Sequence, residues 1–206
     1  NENKDYDQAI RSASECLKLE QNFACFGVRA MAHLAKGNLD LALADANQSD
    51  KLRPNSQVLL LTRAKIHRAR GSFDLALVDI NQAIQISSGN WQLWKTRGDL
   101  FAEIYESGGG LDADKIDLAI ADYSKALDIS PGQESVLANR GKMFNASASF
   151  DPKFYSNALS DLKAAIELNP NIAEYWHWRS TTYFGLKKDD LAVADATQAI
   201  KVDPRY

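Results

Sequence analysis

Apolar residues recur at helical spacing along almost the whole chain, and the pattern itself repeats. "LDLALADANQ" from Leu39 and "FDLALVDINQ" from Phe73 are near copies, 34 residues apart. Variants follow from Ile116, Tyr155 and Asp189. Each copy carries two small residues seven apart: Ala42 and Ser49, Ala76 and Ala83, Ala119 and Ala126, Ala158 and Ala165, Ala192 and Ala199. Two helical turns separate such a pair, so both members share one face. A second helical stripe precedes each copy, as in Leu93, Trp94, Gly98 and Phe101. Between stripe and copy comes a short turn such as "KGNLD" or "RGSFD". Each unit is therefore predicted to be two antiparallel helices. Pro54, Pro131, Pro170 and Pro204 close four units, and Ser88 stands there in the other. Proline ends a helix because it lacks the N–H and clashes with the preceding turn.

A fixed period outranks other sequence signals for the fold. The units begin at Phe23, Gln57, Trp91, Glu134 and Ala173, spaced 34, 34, 43 and 39 residues apart. This predicts one domain over 1–206: a half repeat at 5–22, then repeats at 23–56, 57–90, 91–133, 134–172 and 173–206. The longer spacings place insertions near 105–113 and near 148–152. The first contains Gly108, Gly109 and Gly110, which predict a flexible connection.

The pattern resembles the tetratricopeptide repeat. Phe26, Trp94 and Trp176 fill that family's first aromatic place, with Leu60 and Leu137 in the other units. Ala30, Ala64, Gly98, Gly141 and Ser180 fill its small place. His33, His67, Phe101, Phe144 and Tyr183 fill its tyrosine place. The resemblance implies an all-α solenoid, a right-handed superhelix of about eleven helices with a concave groove lined by the first helices. It also implies a non-enzymatic scaffold that binds a peptide or protein segment there. Two alternatives stay open: a recruitment region of a larger protein whose catalytic or membrane domains lie elsewhere, and a sensor whose pitch responds to a peptide or small ligand.

Every unit departs from the family's usual leucine in the same way. Arg29, Arg63, Arg97, Arg140 and Arg179 stand before the small residue of the first helix. Asp45, Asp79, Asp122, Asp161 and Asp195 recur in the second. In an antiparallel hairpin each Arg lies level with its own Asp, which predicts an ion pair within each unit.

Composition excludes several classes. Charged residues make up 25% of the 206 residues and the net charge is −3, with no basic block that would signal nucleic acid. No apolar run approaches the roughly 20 residues of a membrane span. No nucleophile, base or metal constellation appears, so no catalytic residue, metal ligand or cofactor is assigned. Asp112, Asp114 and Asp117 resemble the start of a calcium loop. The sixth and twelfth places of that pattern, where Gly and Glu are needed, hold Asp117 and Tyr123. Cys16 and Cys25 form no metal or redox motif. They are expected as buried free thiols, which favours a reducing, cytoplasmic setting.

The first-helix places that face the groove in the family hold an apolar strip in the first unit: Ala24, Gly27, Val28, Met31 and Leu34. The next units hold Lys65 and Arg68, then Lys95, Asp99 and Glu103, then Asn139, Lys142 and Asn145. The last holds His177, Trp178 and Thr181. This predicts a mildly basic middle, suited to an acidic or carboxylate-bearing segment with an apolar anchor. The carboxylate clamp of heat-shock-binding family members is matched only at Lys95 and Asn139, so that function is not carried over. The exposed ends of a repeat stack also invite end-to-end self-association.

Overall fold

The computed structural model describes residues 2–110 and 112–206 and contains, among them, eleven α-helices and no strand. The chain packs as two compact units, Asn1–Ser88 and Gly89–Tyr206.

The first unit holds α1 (Glu2–Leu19), α2 (Phe23–Ala35), α3 (Leu39–Leu52), α4 (Gln57–Ala69) and α5 (Phe73–Ile86). The second holds α6 (Trp91–Ser107), α7 (Ala113–Ile129), α8 (Glu134–Ser147), α9 (Phe154–Leu168), α10 (Ala173–Gly185) and α11 (Asp189–Val202). The first helices of the hairpins begin at Phe23, Gln57, Trp91, Glu134 and Ala173. Asn22 and Asn90 cap two of these starts, their side chains accepting from the N–H groups of Ala24 and Gln92. The helices before Pro54, Pro131, Pro170 and Pro204 each end on a residue with extended φ, which a following proline accepts, and Ser87 takes the same φ before Ser88.

Small residues let the paired helices close. Ala30, Ala42, Ala76, Ala119 and Ala158 are fully buried. In the first unit Ala30, Ala42, Ala46, Leu59 and Ile66 form one core cluster. In the second, Ile116, Tyr123, Leu127, Val136 and Met143 form one cluster, and Leu162, Ile166 and Tyr175 belong to another. Gly98 is required where it stands: a Cβ there would lie 2.8 Å from the Tyr123 ring.

The expected Arg–Asp pairs form in all five hairpins, and each is bidentate. The two hydrogen bonds measure 2.7 and 2.7 Å for Arg29–Asp45, 2.9 and 2.6 Å for Arg63–Asp79, and 2.8 and 2.7 Å for Arg97–Asp122. For Arg140–Asp161 and Arg179–Asp195 they measure 2.7 and 2.9 Å. The Asp side chains are buried, so the fork geometry replaces the water they lose. The pairs also reach beyond their own hairpins. Nη1 of Arg29, Arg63 and Arg140 donates to Ser14, Asp50 and Ser124 on the preceding helix pair.

The first insertion goes largely into longer helices, whereas the second, near 148–152, forms turns between α8 and α9. α6 and α7 each run to 17 residues, against 13 and 14 in α4 and α5. The glycines end α6: the N–H groups of Gly108, Gly109 and Gly110 donate to the carbonyls of Ile104, Glu106 and Tyr105. Gly109 and Gly110 take left-handed φ of 72° and 74°. The connection expected to be flexible is thus a hydrogen-bonded helix stop. Leu111, within the inserted stretch, lies outside the described residues.

The cysteines correct the sequence reading. Cys16 and Cys25 are not free thiols: they form a disulfide that joins α1 to α2. The short link between these antiparallel helices sets the third residue of α2 against the last turns of α1. That register is a tertiary fact which residue spacing does not encode. A disulfide persists in oxidising surroundings, so the reducing setting inferred from free thiols loses its basis.

Candidate functional site

In the second unit the first helices α6, α8 and α10 lie side by side, and the predicted residues meet across them. Lys95 Nζ donates to Asp99 Oδ2 at 2.7 Å. Asp99 Oδ1 accepts from Asn139 Nδ2 at 2.9 Å and from the Tyr123 hydroxyl at 3.0 Å. Lys142 Nζ pairs with Glu106 at 2.6 Å and sits 5.3 Å from the Trp178 ring centroid. Asn145 Nδ2 donates to Thr181 Oγ1 at 3.0 Å. The result is a continuous polar seam with an aromatic plate at one end.

Its electrostatics differ from the sequence reading. Lys95 and Lys142 do not present free charge, because each is held by a carboxylate. With Asp99 and Glu106 holding them, the seam is balanced and not basic. Burial pushes the Tyr123 hydroxyl far above its ordinary range, with the Asp99 charge next in effect, so it stays a neutral donor. His177 stands apart from the seam, its ring 5.5 Å from that of Tyr206.

In the first unit, α2 and α4 flank an apolar cavity of about 290 Å³. Ala24, Gly27, Val28 and Met31 line it, with Val58 from α4. Leu34, the last member of the predicted strip, instead packs against the core cluster. The Arg53 guanidinium lies 4.7 Å from the Phe23 ring centroid at the cavity's edge. Lys65 and Arg68 are exposed on α4, two to three turns along the face that begins with Val58.

Three participants were missed in the sequence. Glu106 lies in the extra turn of α6, beyond the 34-residue template. Tyr123 belongs to a second helix and reaches the seam only because Gly98 leaves room for it. Val58 holds in α4 the place that Ala24 holds in α2, a groove place left out of the second unit. The 34-residue period, carried from Ala24 to Val58, is the signal that would have found it.

The fold and these faces define a helical-repeat protein whose patterned residues serve helix stacking. The profile of the tetratricopeptide repeat matches residues 173–206. The fold is that of a tetratricopeptide-repeat solenoid.

Among curated proteins it is similar to human serine/threonine-protein phosphatase 5, 41% identical over 61 residues. That match covers 30% of this chain and 12% of the relative's length. Among solved structures it resembles MamA from Desulfovibrio magneticus, with TM-score 0.75, 11% identity, and coverage of 89% of this chain and 96% of that one. It also resembles YrrB, described as a tetratricopeptide-repeat protein with an unusual peptide-binding site. There the TM-score is 0.68 at 15% identity, covering 93% of this chain and 92% of that one.

Proposed function

We propose that the chain is a non-enzymatic interaction scaffold that holds an extended peptide or protein segment against its first helices. The α6–α8–α10 seam carries this reading. Asn139 and Asn145 each commit one N–H to a neighbouring helix, which fixes both amides. Their carbonyl oxygens have no partner among the described residues and can accept from the main chain of a bound segment. Lys95, Asp99, Asn139, Lys142, Trp178 and Thr181 make up this face. Lys65 and Arg68 belong to the apolar-and-basic face of the first unit. His177 is a less central member. The peptide-binding site named for YrrB supports the same use of the fold.

The seam favours a segment recognised through its backbone and an apolar side chain over one recognised by acidity alone. Peptides selected by display on the full chain test this. Asn139→Ala/Asn145→Ala should weaken a selected peptide at least tenfold, with the helical circular dichroism unchanged. An unchanged Kd would remove the seam as the site.

A second reading is favoured by the phosphatase match, which is confined to 12% of a longer protein. On that reading these repeats are the recruitment region of a larger polypeptide.

A further inference from the structure

We propose that α1 is a redox-latched helix: the Cys16–Cys25 disulfide holds it on α2, and reduction by a dithiol releases it while the remaining repeats stay folded.

The two cysteines occupy a recurring junction of the repeat. The place of Cys16 is Ser49, Ala126 and Ala165 in later second helices, and the place of Cys25 is Leu59, Val136 and Tyr175 in the first helices that follow. Ala126 and Val136 belong to one buried cluster, and Ala165 and Tyr175 to another. At those junctions an apolar contact seats a second helix on the next first helix. At α1–α2 a covalent bond takes its place.

α1 packs on one neighbour and buries little of itself. Its only described residue that is buried is Ala13. Ser12 stands where α3 carries the ion-paired Asp45, so α1 lacks the bidentate bond found in each later second helix. Among the described residues, the polar contacts that tie α1 to α2 are the exposed Lys36–Asp7 pair and a 3.2 Å bond from Arg29 to Ser14. α3 packs against both α2 and α4, whereas α1 packs chiefly on α2. α11 is the useful contrast. It packs chiefly on α10, yet it keeps Arg179–Asp195 and buries Ala192 and Ala199 without any disulfide.

The bond is reachable. Both cysteines are half-buried and line a second apolar cavity of about 270 Å³, between α1 and α2, shared with Ala13, Ala24 and Val28. A dithiol thiolate attacks one sulfur, the Sγ–Sγ bond breaks, and a mixed disulfide forms with one cysteine thiolate leaving. The second thiolate of the reagent then closes its own disulfide and expels the other cysteine. Two electrons pass to the protein, and solvent supplies the protons that give two thiols. Ala24 and Val28 also line the cavity of the α2–α4 face, so release of α1 opens that face from its other side.

Hydrogen exchange of the full chain, with and without dithiothreitol, tests the latch. Complete reduction is verified in a separate aliquot by addition of two alkyl groups. Exchange in α1 should accelerate at least tenfold, while α3 and α11 change less than twofold. Cys16→Ser/Cys25→Ser should show the fast α1 exchange with or without dithiothreitol. Unchanged α1 exchange after full reduction would overturn the latch, as would loss of protection in every helix. A dithiothreitol response that persists in the cysteine-free variant would also overturn it. No peptide enters the measurement, so its outcome is independent of the proposed binding function.

Discussion

At the scale of single residues, the Arg–Asp pairs show how a buried charge is tolerated. The Asp79 side chain is 4% exposed and that of Arg63 is 18% exposed. Two charge-assisted bonds fix the carboxylate, and Asp50 takes a third guanidinium N–H. Removing only the cation strands the anion. Arg63→Ala is expected to cost about 3 kcal/mol in urea unfolding. Arg63→Met/Asp79→Leu should cost far less, because no charge is left buried. Hydrogen bonding to Asp79 pushes Arg63 further up, so the guanidinium stays charged at neutral pH. At Asp122 burial is the larger influence and pushes its carboxyl up against the pull of Arg97. His33 and His67 lie below the ordinary histidine range, chiefly through burial. A depressed folded value means that the unfolded chain binds the proton more readily. Their contribution is therefore full above the ordinary value near 6.5 and is lost as pH falls below it. The melting temperature should drop between pH 7.5 and 5.5, and His67→Phe should flatten that drop.

At the scale of elements, the hairpin turn makes its own demand. Gly37 and Gly71 turn the first two complete hairpins with φ of 75° and 71°. Lys187 holds the same place in the last hairpin with φ of 56°, where a Cβ is unfavourable. Lys187→Gly should stabilise the protein by about 1 kcal/mol, read as a higher melting temperature. The opposite change is expected at Gly98. A methyl group there meets the Tyr123 ring at 2.8 Å. Gly98→Ala should cost about 1–3 kcal/mol and displace the hydroxyl from Asp99. Helix starts were legible in the sequence because caps, prolines and turn residues act locally. The fate of the insertions was not. Whether added residues extend a helix or loop out depends on what their side chains can pack against, and here Tyr105 packs against the core.

At the scale of the whole molecule, charge pairing sets what the proposed binding face would respond to. Lys95 and Lys142 are spent on Asp99 and Glu106. A peptide bound at the α6–α8–α10 seam should therefore change its Kd less than about threefold between 0.05 and 0.5 M NaCl, since screening acts on uncompensated charge. A loss above tenfold would restore the basic-groove reading. The repeat, the all-α class, the five ion pairs and the places of the first-helix residues were readable from the sequence. A short period stamps the same local geometry on every unit, and antiparallel hairpins carry that geometry into tertiary contacts within one unit. Only the tertiary structure decided that the lysines are neutralised, that Tyr123 reaches Asp99 past Gly98, that Leu34 turns inward, and that Cys16 meets Cys25. The Cys16–Cys25 bond depends on the register between helices of different units and Lys142–Glu106 on an extra helical turn, while Lys95–Asp99 lies within one helix and Tyr123–Asp99 within one hairpin. Periodicity is blind to register and to an added turn, because it reports which face a residue occupies and not what stands opposite.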